Sequence, residues 1–375
     1  MRRWGGALAA AFVLACLAAC STDNSGQNPT ATSLDHGDGS VSTAVQGEQL
    51  DKADAAGLES KLKATPGDLT AREKLVGYYF EAQATDIPKS PKPADVNADT
   101  IARDRHLLWL IQNAPGIDLL SSAPMGLVQP TPDTTGYVAA RSAWLGQAGA
   151  EAPPRVKGNA GIFFAQTYDQ RAFDLLTAAE AGDGQNPTWP GALGDLYSAR
   201  TRTASPGSAA MTQASASAVD EMEKAWGLSG SANTDPRLSQ IAKLAVVARE
   251  DDKAVQYATV LLNTFKPGPG QSPLAVGGPI HDGNMVLGQV ALHKGDRAGA
   301  EHYLIKAGAS PGSPTLDRYG PNFSLARDLL VAGSRDVVLK YCDEVAKFWS
   351  DPKLAAWRAA ITAGKIPDFG DNLWN

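Results

Sequence analysis

The sequence predicts an all-α protein. From Leu50 onward apolar residues recur at intervals of three and four, the spacing of one helix face, while alternating β-branched runs are scarce. Short turns carrying Gly, Asp, Asn or Pro separate most of these periodic segments, which implies successive antiparallel helix pairs. Leu58 and Leu62 stand four apart before Pro66-Gly67, and Leu69, Leu75, Tyr79 and Phe80 continue as a second helix. Pro88, Pro91 and Pro93 then mark Asp86 to Asp99 as an extended loop. The helical pattern resumes at Ile101 with His106, Leu107, Leu108, Trp109, Leu110 and Ile111. Helices are further expected over 137–147, 159–168, 170–181, 190–200, 219–226, 238–249 and 254–265. Towards the C-terminus they are expected over 284–294, 298–307, 324–332, 337–349 and 354–363.

The 375 residues are 43% hydrophobic and 20% charged, an ordinary globular composition that excludes collagens, multi-span membrane proteins and long disordered chains. Formal net charge is −6 and no Lys/Arg cluster stands out, so a nucleic-acid partner is not expected.

Arg2 and Arg3 form a positive start to an uncharged, mostly apolar run from Ala7 to Leu17, too short to span a bilayer, and residues 1–19 read as a signal peptide. The run ends Leu17-Ala18-Ala19-Cys20, which resembles the lipobox of bacterial lipoproteins. That resemblance implies cleavage before Cys20, acylation of its sulfur and anchoring without crossing the membrane. The alternatives are a conventional secretory signal cleaved after a small-x-small triplet, or a buried N-terminal helix. In lipoproteins of Gram-negative bacteria an aspartate after the cysteine favours the inner membrane, so Ser21 implies the periplasmic face of the outer membrane, or the cell-membrane surface if the host has one membrane.

Residues 21 to about 48 contain no Lys, Arg, Phe, Trp or Tyr, and 20–49 read as a flexible tether ahead of a helical domain over 50–375. With Cys16 removed and Cys20 acylated, Cys342 is left without a disulfide partner, on a helical pattern where free cysteine packs as a small hydrophobe.

Leu287-Gly288, Ala291, Gly295-Asp296, Ala300, Leu304 and Ala307 resemble a tetratricopeptide repeat, in which small residues let paired helices approach. Asn159, Gly161, Phe164, Tyr168-Asp169, Ala172, Leu176 and Ala179 form a second unit, and Leu193-Gly194 with Tyr197 starts a third. Gly161 and Gly194 are 33 residues apart, close to the 34-residue period of that family. In this register 201–217 and 266–279 are insertions. The resemblance implies a tetratricopeptide-like helical-repeat solenoid; an irregular helical bundle is the alternative.

Catalytic motifs are weak. Gly308-Ala309-Ser310-Pro311-Gly312 fits the G-x-S-x-G pattern, but a helix precedes it where a nucleophile elbow needs a strand. The five histidines show no metal-ligand spacing, and no cofactor is expected. His281-Asp282 is either a couple at a pocket or an acid beside a surface histidine. The repeat resemblance implies a concave groove lined by first helices, which singles out Asn159, Ile162, Ala165 and Gln166, and Met285, Gln289, Leu292 and His293, as binding positions for an envelope protein or peptide. The expected role is therefore non-catalytic scaffolding or protein binding in the cell envelope, with membrane attachment through Cys20. An envelope hydrolase with a site between helices is the competing class. Small-ligand binding is a third, and predicts a closed pocket lined by aromatics such as Trp109, Trp144 and Trp189.

Overall fold

The computed structural model describes residues 37–85, 93–130, 134–266 and 272–374. Cys20, the lipobox and most of the stretch read as a tether lie outside them. Among the described residues the chain is all-α, with seventeen α-helices and two short 3-10 turns. It divides into two compact units at Ala192 and Leu193.

The first unit holds α1 (Ser40–Gly47), α2 (Lys52–Ala64), α3 (Leu69–Thr85), α4 (Pro93–Asn113), α5 (Thr134–Gln147), α6 (Pro154–Ala165) and α7 (Arg171–Gly182). The boundary falls within α8 (Thr188–Thr203). The start of α2 is set by Asp51, whose carboxylate accepts from the amides of Ala53 and Asp54, both at 2.8 Å, as an N-cap should. Chain neighbours pack as pairs, α2 on α3, α3 on α4, α4 on α5 and α6 on α7. Leu75, Leu107, Leu110, Trp144, Phe163 and Leu176 fill the interior, each at most 1% exposed.

Helix α1 lies inside the stretch whose composition reads as tether, and it is packed. Val41 and Ala44 are buried, and the Ser40 hydroxyl accepts from the Leu119 amide at 2.9 Å. Helices α1 and α3 meet backbone to backbone: a Cβ on Gly77 would stand 1.8 Å from the Ala44 carbonyl oxygen, and one on Gly47 would stand 1.9 Å from that of Lys74. A segment with so few large apolar side chains gains its helix from this tertiary contact, which its own composition does not reveal. The expected loop over 86–99 is likewise shorter at its far end, since α4 begins at Pro93, a residue type well suited to a first helical turn.

The second unit holds α9 (Ala209–Leu228), α10 (Arg237–Val247), α11 (Asp251–Thr264), α12 (Pro273–His293), α13 (Arg297–Gly308), α14 (Pro314–Tyr319), α15 (Ser324–Val331), α16 (Arg335–Val345) and α17 (Pro352–Thr362). Helix α9 packs on α10, α10 on both α11 and α12, α12 on α13, and α13 on α15 and α16. Both stretches expected to be insertions carry helix, α9 from Ala209 and α12 from Pro273. Helix α12 continues through Pro279 because that residue removes a single bond, to Ala275, near the helix start. Helices α12 and α13 pack closely: Ala300, Leu304 and Ala307 are fully buried, and a Cβ on Gly288 would fall 2.3 Å from the Leu325 Cδ2.

The C-terminal tail closes one core. Phe369 stacks on Phe323 with ring centroids 4.9 Å apart, and the Asn372 side-chain amide donates to the carbonyls of Tyr319 and Pro321 at 3.1 and 3.0 Å. Cys342 is a fully buried free thiol in the same core, and burial pushes its pKa up to about 11, which keeps it unreactive.

Candidate functional site

Three helices of the first unit converge on a cleft of about 460 Å³ lined by Glu59, Leu62, Arg72, Arg105, His106 and Trp109, with Lys63 and Gln112 at its border. Helix α2 buries Ala55 and Leu62, which places Glu59 beside the cleft. Helix α3 contributes Arg72 in its first turn and Tyr79 seven residues on. Helix α4 presents Arg105, His106 and Trp109 within one turn while Leu107, Leu110 and Ile111 hold its other side in the core.

The polar groups form a connected set. Glu59 Oε1 accepts from the Tyr79 hydroxyl at 2.9 Å, from His106 Nε2 at 3.0 Å and from Arg105 Nη2 at 2.5 Å. Arg72 donates through Nε and Nη2 to the Pro66 carbonyl at 3.1 and 2.6 Å, and its guanidinium lies 4.0 Å from the centre of the Trp109 ring. Its Nη1 stands 3.4 Å from His106 Nδ1. A guanidinium only donates, so Nδ1 is the accepting nitrogen and the ring proton sits on Nε2, pointing at Glu59.

The charge states follow from these contacts. His106 is 1% exposed, and burial holds its pKa below the usual histidine value despite the neighbouring carboxylate, so the ring is neutral at pH 7. Burial would raise the Glu59 pKa, but the hydrogen bonds from His106 and Tyr79 outweigh it and hold the carboxyl below its ordinary value. Burial and the Glu59 contact together keep the Tyr79 hydroxyl protonated. Arg72, Arg105 and Lys63 thus face a single carboxylate, leaving the cleft with a surplus of two positive charges. Both ring nitrogens of His106 are engaged by protein groups, an arrangement that fixes charges in place more readily than it moves protons.

A second polar cluster lies in the second unit, around the His281-Asp282 pair of α12. Here the sequence left open a pocket or a surface position, and the structure shows neither, since His281 is fully buried in mid-helix. Tyr341 of α16 gives its hydroxyl proton to the Asn322 carbonyl at 2.7 Å, so His281 Nε2, 3.2 Å from that hydroxyl, is the donor. Nδ1 stands 3.2 Å from Asp282 Oδ1, and Lys243 of α10 reaches Asp282 Oδ2 at 3.2 Å. Burial opposes ionisation of Asp282, but Lys243 and His281 prevail and bring its pKa to about 2.

The residues singled out from the sequence fall in two groups. Asn159 is buried, and its amide donates to the carbonyls of Pro115 and Ile117, both at 2.9 Å. Gln166 reaches the Val128 carbonyl at 3.3 Å, so these two side chains tie α6 to the loop between α4 and α5. Met285, 3% exposed, sits in the core shared by α12, α13 and the C-terminal helices, because the helix face expected to line a groove is covered there by neighbouring helices. Gln289 donates to the Ser324 hydroxyl at 2.7 Å, and His293 Nδ1 stands 2.8 Å from Asp251 Oδ1. Ser310 is a buried turn residue whose hydroxyl donates to the Gly277 carbonyl at 2.7 Å. Trp144 and Trp189 are core residues, and only Trp109 of the three tryptophans borders the cleft.

Sequence reasoning passed over Glu59, Arg72 and Arg105. A signal existed in α4, where Arg105, His106 and Trp109 share a face, but Glu59 lies 47 residues from His106 and no local spacing connects them. Among the described residues no group of three or more metal-ligating side chains converges, and no helix is long and apolar enough to cross a membrane. The chain matches no family model, and no curated protein matches it.

Proposed function

We propose that this protein is a lipid-anchored, extracytoplasmic helical-repeat protein that binds a partner in the cell envelope, with the cleft between α2, α3 and α4 as its recognition site. The observation that carries the reading is the cleft itself: Glu59, Arg72 and Arg105 are held by hydrogen bonds within the protein, while Arg105, with 59% of its side chain exposed, faces solvent. Groups fixed before a ligand arrives lose little freedom on binding. The tetratricopeptide-like register is supported by α12 and α13, whose Gly288, Ala300 and Ala307 let consecutive helices pack closely. The anchor rests on Leu17-Ala18-Ala19-Cys20, and Ser21 favours the outer membrane on its periplasmic face.

The test is affinity capture from membranes of cells carrying the tagged wild type or the Cys20→Ala form, with mass spectrometry of the bait and of what co-purifies. An acylated wild-type bait, loss of membrane attachment in Cys20→Ala and a reproducible partner are the expected results. A bait without acyl chains overturns the anchor. An acylated bait that repeatedly comes out alone overturns partner binding.

A further inference from the structure

The chemistry of the cleft narrows what it can hold. Trp109 already has Arg72 over one face, so that face is closed to a ligand cation, and the surplus charge around the cleft is positive. Glu59 spends its Oε1 on three donors. Arg105 uses Nη2 on that carboxylate, and its Nε and Nη1 hydrogens keep no protein acceptor among the described residues. Lys63, exposed at the border of the cleft, forms no ion pair among the described residues. Leu62, Leu108 and Trp109 supply apolar surface next to these donors. Donors with spare hydrogens beside an apolar wall, in a volume suited to a small ligand, define a specific chemistry.

We propose that the cleft between α2, α3 and α4 binds a small anionic ligand, a carboxylate or phosphate carried on a flat apolar body, with Arg105 and Lys63 meeting the charge and Leu62, Leu108 and Trp109 the body. The ligand group is a free small molecule or the matching part of a larger partner; the chemistry recognised is the same. Arg72 acts as a positioning residue, since its stack on Trp109 and its bonds to Pro66 fix the wall against which the body lies. This inference rests on the partner-binding reading only in taking the cleft as the recognition site, and it can fail while acylation and capture both succeed.

The experiment uses the full chain carrying Cys20→Ala, titrated by calorimetry and by tryptophan fluorescence with 1-naphthoate, 1-naphthyl phosphate and neutral 1-naphthamide. At least one anion should bind roughly tenfold or more tightly than the amide, since charge-assisted hydrogen bonds to Arg are the strong ones. Whichever anion is preferred assigns the carboxylate or the phosphate. Arg105→Gln combined with Lys63→Gln should lower that affinity about tenfold or more and remove most of its salt dependence. Both side chains are exposed, so an unchanged thermal melt of the double variant confirms that the fold is intact. Equal binding of all three probes, or anion binding that survives the double substitution, overturns the proposal.

Discussion

The two polar clusters, one in each unit, are built from the same parts and differ in access to water. Each joins a buried histidine, a carboxylate, a tyrosine hydroxyl and a cationic side chain: Glu59, Tyr79, His106 and Arg105 in one, Asp282, Tyr341, His281 and Lys243 in the other. In the first, the cation Arg105 has 59% of its side chain exposed and the set borders a cleft; in the second, the cation Lys243 has 30% exposed, and His281 and Tyr341 lie wholly inside the core. Placement therefore decides use. A sealed cluster can only brace helices, whereas an open one leaves donors facing a ligand.

The sealed cluster should give the largest response to mutation. Removing the carboxylate in Asp282→Ala leaves a fully buried His281, and Lys243 with 30% of its side chain exposed, without their acceptor, and should cost about 3 kcal/mol, the upper range for a buried donor left unpaired. Chemical denaturation of the full chain, followed by fluorescence and by hydrogen exchange at α10 and α12, measures it. A loss of about 2 kcal/mol or less would place this cluster with the open one. Glu59→Ala is the matched change in the cleft. It frees three donors, but Arg105 can turn to water, so a cost of about 1 to 2 kcal/mol is expected. Equal losses at the two positions would break the comparison.

Acid sharpens the contrast. Asp282 has a folded pKa of about 2, below its value in the unfolded chain, so its contribution is present above about pH 4 and disappears as pH falls towards 2. His106 also has a lowered folded pKa, which works at higher pH: the unfolded chain takes up a proton near pH 6.5 and the folded chain does not. Stability is therefore lost as pH falls below about 6.5, with a slope of at most about 1.4 kcal/mol per pH unit. Stability against pH should lose its limb near pH 6 in His106→Gln, and its limb below pH 4, to which Glu59 also contributes, should shrink in Asp282→Asn. A His106→Gln profile that keeps the upper limb would show that another group produces it and overturn the assignment to His106.

How much of this was legible in the sequence depends on whether the signal is local. Helices such as α10, with Leu238, Ile241, Ala242 and Ala245 on one buried face, follow from spacing alone. Helix α1 does not, because its partner is the backbone of α3 and its evidence lies thirty residues away at Gly77. Small residues at helix crossings were readable in advance, as Gly288 against Leu325 shows. The cleft was not, although His106 and Trp109 were placed on the right helix, because α2, α3 and α4 supply its charges from three separate segments. Asn159 and Gln166 were picked out as polar positions on a helix face, and both are occupied with the backbone of the loop that follows α4. A polar side chain on a periodic face is open to a partner only if no neighbouring loop claims it, and the sequence of one helix holds no record of that loop's position.

The smallest expected effect on stability is the one that best isolates function. Arg105 has 59% of its side chain in solvent and bonds to a carboxylate that keeps the Tyr79 and His106 donors without it. Arg105→Gln should therefore change folding stability by no more than about 0.5 kcal/mol, the range of an exposed ion pair. The same substitution removes one of the positive charges at the cleft, so binding of the preferred naphthyl anion should weaken while the denaturation midpoint stays fixed. The two readouts separate because the cleft is open: in the sealed cluster no substitution can lower a ligand affinity without also lowering the melt. A variant that loses stability and binding in proportion would show that Arg105 braces α2 against α4, in the way Lys243 and Asp282 join α10 and α12.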